Sequence, residues 1–179
     1  MSDPINSPIN NQISSLINKR RSIRKYNSGV PVTREQLNRL MEAAMLAPSA
    51  CNSRPWEFIA ITKREVLDKI AEIHPFASSF KTATAAIIVV ADPPSGRPEG
   101  YFPQCCGAAT QNILLEAASM GLGSCWCGLY PREERMEDFR KIFNIPQSKI
   151  PFCVIAIGSP DESPERRGFF DAAKVSYVD

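Results

Sequence analysis

Two uninterrupted apolar runs constrain this chain most: Ala85-Ala86-Ile87-Ile88-Val89-Val90 and Phe152-Cys153-Val154-Ile155-Ala156-Ile157-Gly158. Neither alternates with polar residues, so neither can turn one face to water, and each is predicted to be a buried strand, the first a central one. Trp56 to Ile61 alternates as a strand does, and Cys125-Trp126-Cys127 reads as a short one. Segments of helical period lie between them. A first helix is expected over 11–18, with Ile13, Leu16 and Ile17 on one face. Thr33 is an N-cap with Gln36 completing a capping box, and Leu37, Leu40, Met41, Ala44 and Met45 follow at helical spacing until Pro48 stops the run. Exposed helices are predicted over 65–73 and 132–143. A long helix runs from Pro103 to just before Gly121 or Gly123. It carries small residues at Gly107, Ala108, Ala109, Ala117 and Ala118, with Gln111-Asn112 among apolar neighbours. Periodicity leaves two accounts open: a helix buried on several sides at a subunit interface, or a core helix covered by its own sheet.

A length of 179 residues suits one domain, 1–179. Residues 1–11 read as a loose arm. The polar tail 159–179, with Phe169, Phe170 and Tyr177, is expected to wrap over something else. The start shows no secretory pattern, and the longest apolar run, 85–91, is strand-length, so no membrane span is expected and the setting is read as cytoplasmic. In that setting the six cysteines are expected to be mostly small buried hydrophobes rather than disulfide partners.

The net charge is only +2, but its distribution is uneven. Lys19, Arg20, Arg21, Arg24, Lys25 and Arg34 stand in a stretch without acids, which leaves the rest of the chain net acidic. A compact positive spot on an acidic body suits a small anion, not nucleic acid. Arg20, Ser22 and Arg24 alternate. In extended backbone they point to one side, with Arg21 and Ile23 on the other, and two guanidiniums with a hydroxyl make a phosphate clamp. A solvated charge cluster at a helix end satisfies the same pattern.

Two more segments can carry a ligand. Ala47-Pro48-Ser49-Ala50-Cys51-Asn52-Ser53-Arg54-Pro55-Trp56 is a rigid bend with accessible backbone, or simply a helix-to-strand link. Gly121-Leu122-Gly123-Ser124-Cys125-Trp126-Cys127-Gly128 lacks a phosphate-loop ending and leads into a strand, so it packs beside a flat ligand or is a plain turn. Cys105-Cys106 and Cys125-x-Cys127 lack zinc-knuckle spacing, so no metal is expected. The lone histidine, His74, reads as a helix-end cation or turn residue rather than a catalyst.

Taken in order, these segments resemble the nitroreductase family over nearly the whole chain, in its small single-domain branch. Arg20-Arg21-Ser22-Ile23-Arg24 resembles its Arg-x-Ser-x-Arg/Lys signature. Pro48 to Trp56 resembles its Pro-Ser-x-x-Asn-x-Gln-Pro-Trp loop, with Arg54 in place of Gln. Gly107 to Leu115 followed by Gly121 to Trp126 resembles its central helix and glycine strand. The resemblance implies an α+β fold, with a central, mostly antiparallel sheet flanked by helices. It also implies a domain-swapped homodimer with the C-terminal segment 159–179 exchanged and the active sites at the interface. It implies FMN as cofactor and NADH or NADPH as co-substrate. By the family pattern Arg20, Ser22 and Arg166-Arg167 hold the flavin phosphate, with Arg21 the least defined member, and Arg24 approaches the ring. Pro48, Ser49, Ala50 and Asn52 come from the partner subunit, and Trp126, Cys127 and Gly128 line the ring. The reaction implied is ping-pong reduction of a nitro compound, quinone or similar small-molecule acceptor, with the chemistry carried by FMN and no catalytic side chain. The other readings are a flavin store or carrier without turnover, and a nucleic-acid module using the basic segment.

Overall fold

The computed structural model describes residues 8–93, 100–165, 168 and 170–178. Among these residues are four strands and five α-helices: α1 (Pro8–Lys19), α2 (Arg34–Met45), β1 (Trp56–Ile61), α3 (Arg64–Ile73), β2 (Ala85–Ala91), α4 (Phe102–Ser119), β3 (Gly123–Gly128), α5 (Glu133–Phe143) and β4 (Ile150–Gly158). The sheet order is β1-β2-β4-β3, antiparallel throughout. This is the α+β fold with an antiparallel sheet that the sequence implied.

The apolar runs became β2 and β4, the two central strands, because both faces of the sheet are covered. Ile87, Val89, Cys153, Ile155 and Ile157 face a core made with α2 and α4. Ile88, Val90, Val154 and Ala156 face a second core made with α3, α5 and the basic segment. An antiparallel sheet ordinarily wets one face and alternates. Here the two-sided cover removes the alternation.

Local chemistry explains most boundaries. The capping box of α2 closes both ways: Gln36 N–H donates to Thr33 Oγ1 (3.2 Å) and Thr33 N–H to Gln36 Oε1 (2.9 Å). Helix α1 begins at Pro8, three residues before the expected start, since proline suits a first helical turn. Strand β3 extends through glycine at both ends, longer than its apolar centre announced. Helix α4 packs under its own sheet, with Cys106, Ala109, Thr110, Ile113 and Ala117 fully buried. Its other side, including Gly107, Ala108 and Gln111, is left at least partly open. Asn112 is explained by its amide, which donates to the Ala43 carbonyl (2.9 Å) and ties α4 to the end of α2.

Among the described residues no helix is long and apolar enough to cross a membrane.

Candidate functional site

Strand β3 is an edge strand, and the basic segment is laid along its first half. Ile23 N–H donates to the Ser124 carbonyl (2.9 Å), and Ser22 bridges Ser124 in parallel. Two glycines make this approach possible. A Cβ on Gly123 would lie 2.8 Å from Ile23, and one on Gly158 would lie 2.9 Å from the Tyr26 ring. The Tyr26 hydroxyl donates to the Ile23 (2.5 Å) and Ala156 (3.3 Å) carbonyls. Burial holds the Tyr26 pKa far above its usual value, so it stays a donor. The chain after β4 pairs with the same segment from the other side: Asn27 N–H donates to Ser159 O and Asp161 N–H to Lys25 O (both 2.9 Å).

The result is a cavity of about 390 Å³ lined by Arg20, Arg21, Ser22, Arg24, Glu162, Pro164 and Glu165. Arg20, Ser22 and Arg24 do converge. Arg21, expected to turn away with Ile23, doubles back instead. Its guanidinium donates to the Arg20 carbonyl (2.6 Å) and the Glu165 carbonyl (3.2 Å), which brings it to the same cavity. Ile23 alone points into the core, 7% exposed. Glu162 was not singled out in the sequence. Its Oε1 accepts from the Arg24 (2.5 Å) and Lys25 (3.2 Å) amides. The Glu162 carboxylate thus occupies two backbone amides of the segment. Arg166 and Arg167 lie outside the described residues.

Among the described residues none pairs with the second half of the β3 edge. In an antiparallel strand a residue's N–H and C=O point to the same side, and the side alternates. The Ser124 carbonyl faces outward to Ile23, while Leu129 N–H donates inward to Phe152 O (3.1 Å). Both ends therefore give one parity: Ser124, Trp126 and Gly128 face outward, and Cys125 and Cys127 pair with β4. The open edge consists of the Trp126 N–H and C=O and the Gly128 N–H. The Gly128 carbonyl is taken, receiving His74 Nε2 (3.0 Å) and Arg135 (3.3 Å). Cys127 was expected at the site. Its side chain, 4% exposed, is instead packed in the α3/α5 core with Cys125 and Tyr26, and its backbone is turned to β4. It offers nothing to the open edge. His74 is 2% exposed, and burial, the largest cause, lowers its pKa, so it is a buried neutral ring rather than a helix-end cation.

The Pro48–Asn52 loop does not line the cavity. Its conformation is unusual: Cys51, Asn52 and Arg54 all have positive φ (53°, 50° and 47°). The cysteines of α4 hold it. Ala50 N–H donates to Cys105 Sγ (3.3 Å), and Cys106 Sγ donates to the Pro55 carbonyl (3.6 Å). Burial pushes the Cys106 thiol up to about 12, so it remains a donor. Cys105-Cys106 and Cys125-Cys127 lie in the cores on opposite faces of the sheet, so they cannot converge on one metal.

The fold is thus an α+β sandwich, with an arginine-lined cavity at the head of an edge strand. A family model for the nitroreductase family matches residues 17–75 and 73–159. The chain belongs to the nitroreductase family and is an oxidoreductase of that kind. A protein of Methanothermobacter thermautotrophicus, provisionally named NADH dehydrogenase/NAD(P)H nitroreductase, is 46% identical over 159 residues, covering 89% of this chain and 83% of that one. A similarly named crystal structure from Parabacteroides distasonis superposes with a TM-score of 0.87 at 38% identity, covering 93% and 98% of the two chains. A provisionally assigned nitroreductase from Desulfovibrio desulfuricans, crystallised in complex with FMN, superposes at 0.80 with 25% identity, covering 100% and 99%.

Proposed function

We propose that this enzyme is an FMN-dependent NAD(P)H oxidoreductase acting on a nitro compound, quinone or similar small acceptor, as a homodimer with its sites at the interface. The observation that carries this reading is the junction of the cavity with the open edge. Arg20, Arg21, Ser22 and Arg24 offer forked and hydroxyl donors suited to a phosphate. From Ser124 to Gly128 the strand then runs about 13 Å past an exposed donor–acceptor edge. A phosphorylated planar ring with polar atoms along one side fits that sequence of groups.

FMN, when bound, supplies the two-electron chemistry, accepting a hydride from NAD(P)H and passing it to an acceptor in a separate half-reaction. The chain's own part is to bind and orient. Arg20 and Ser22 hold the phosphate end, together with Arg166 and Arg167. Arg24, towards the ring, would offer a cation to the negative charge that a reduced ring gathers. Trp126 and Gly128 present the edge. Pro48, Ser49, Ala50 and Asn52 would cover the ring of the partner's site. No side chain need act as acid or base.

Purified protein is expected to be yellow, or to become so with FMN, and to oxidise NADH or NADPH when a nitroaromatic or quinone is added. Initial rates are expected to give parallel double-reciprocal lines. A chain that cannot be reconstituted sinks the reading; tight flavin with no turnover leaves a carrier. Arg20→Ala is expected to weaken FMN binding by about 1.5–3 kcal/mol, the range for bonds to charged groups.

A further inference from the structure

The basic segment changes partner inside the cavity. At Ser22 and Ile23 it pairs with β3: Ser22 bridges Ser124 in parallel, and Ile23 N–H donates to the Ser124 carbonyl (2.9 Å). From Lys25 to Asn27 it pairs with the chain that leaves β4. Asp161 N–H donates to the Lys25 carbonyl and Asn27 N–H to the Ser159 carbonyl (both 2.9 Å), and Tyr26 bridges Pro160 in antiparallel. The switch falls at Arg24 and Lys25.

A strand that changes partner strands its amides unless a side chain takes them. A hydrogen-bonded antiparallel pair exchanges two bonds. Asp161 and Lys25 make one, and among the described residues the Lys25 N–H has no backbone acceptor. It donates instead to Glu162 Oε1 (3.2 Å), which also accepts from the Arg24 N–H (2.5 Å). One carboxylate oxygen satisfies both donors at the join.

Glu162, Pro164 and Glu165 line the same cavity as Arg20, Arg21, Ser22 and Arg24. This stretch is tied at its other end too, where Arg21 Nε donates to the Glu165 carbonyl (3.2 Å). Residues 162–165 are therefore one wall of the cavity, and the basic segment is the other. A carboxylate between such walls repels a phosphate. By its charge it can only weaken binding, so it strengthens binding only through what it holds.

We propose that Glu162 is a positioning residue of the phosphate clamp: by accepting from the Arg24 and Lys25 amides it locks the join between the two walls, so that the clamp is set before the ligand arrives. This rests on the phosphate placement proposed above. Donors ordered in advance bind at a lower ordering cost. Loss of Glu162 is then a loss of affinity for the phosphate end and not for the ring.

The test uses the full chain as apoprotein, with FMN and riboflavin as probes. Riboflavin has the same ring and side chain without the phosphate. Glu162→Ala removes the acceptor, and Glu162→Gln keeps an oxygen in its place without the charge. Affinity is read by flavin fluorescence quenching, and the join by amide exchange at Arg24 and Lys25. Glu162→Ala is expected to bind FMN about 10-fold more weakly, the scale of one or two groups ordered on binding instead of before it. It is expected to bind riboflavin as wild type does and to exchange both amides faster. Glu162→Gln is expected to protect both amides and to bind FMN at least as tightly as wild type. A Glu162→Ala protein that binds FMN as tightly as wild type, or more tightly, overturns the proposal; the carboxylate is then only a rival of the phosphate. Equal losses of FMN and riboflavin overturn it as well, since Glu162 is then a general support of the fold. So does a Glu162→Gln protein as weak as Glu162→Ala. Wild-type protein that binds riboflavin as tightly as FMN overturns the phosphate placement itself. If Arg20→Ala removes the preference for FMN and Glu162→Ala does not, the placement stands and Glu162 alone is wrong.

Discussion

At the scale of single residues, the site depends on groups too small to look functional. Gly123 and Gly158 are there because Ile23 and Tyr26 need the volume a Cβ would fill. Tyr26 cannot swing aside, since its hydroxyl is bonded to two carbonyls. Gly123→Ala is therefore expected to cost about 1–3 kcal/mol, the usual cost of overpacking. It is also expected to lift the Ser22–Arg24 segment from β3 and weaken FMN binding, read by urea unfolding and FMN titration on the same variant. His74 gives the pH dependence. Its pKa falls below 6.5 on folding, with burial the largest cause and the Arg135 charge adding to it. The unfolded chain then takes up a proton before the folded one does, so this contribution to stability is full above about pH 6.5 and is lost as pH falls towards the lowered value. Wild type is expected to lose more of its urea midpoint between pH 7.5 and 5 than His74→Gln; equal losses would contradict it. The histidine's burial was not legible in the sequence. Pro75 after it announces only that the helix stops, and where the ring then points depends on α5 and β3, which are distant in the chain.

Elements that follow local rules were read well from sequence; those that depend on contacts were not. The capping box of α2, the apolar runs of β2 and β4 and the stripe of α5 each carry their own signal within a few residues. The basic segment does not. Alternation grouped Arg20, Ser22 and Arg24, which line one cavity, but it sent Arg21 away, because a period of two describes Cβ directions and not where a long guanidinium ends. Cys127 was misplaced for the complementary reason: the motif marks the strand, while the face is set by the Ser124–Ile23 and Leu129–Phe152 bonds at its ends. Cys105-Cys106 acquired a purpose only when the Ser49–Pro55 bend was seen against α4, where the two thiols hold a run of left-handed residues that no sequence pattern predicts. Asn112 belongs to the same join. Asn112→Ala is expected to cost about 0.5–1.5 kcal/mol, the net worth of one hydrogen bond. It is also expected to speed amide exchange at the C-terminal turn of α2 and the bend that follows. Unchanged exchange there would show that the bond is not what holds the bend to α4.

At the scale of the whole molecule, the described tail bears on the proposed dimer. The two cores end at Ile157, and among the described residues none after it contributes a buried apolar group. The described tail nevertheless keeps its large apolar side chains in water: Phe170 is 75% exposed, Tyr177 79% and Val178 fully exposed. Its one element, the short turn Ala172–Lys174, is capped within itself, Ala173 N–H donating to Asp171 Oδ1 (3.2 Å). Aromatic groups in a polar tail are expensive to leave solvated when a partner surface can take them. The partly open side of α4, with Gly107 and Ala108, allows close approach of a second copy. A chain ended after Gly168 therefore separates folding from assembly. None of the described residues it removes belongs to either core, so its far-UV spectrum is expected to match the full chain. Sedimentation is expected to show a dimer for the full chain and a shift to monomer for the shortened one. FMN affinity should fall with the dimer if the Pro48–Asn52 loop covers the partner's flavin. A shortened chain that remains dimeric with full FMN affinity would remove the tail from the interface; a full-length monomer with full affinity would remove the interface from the site.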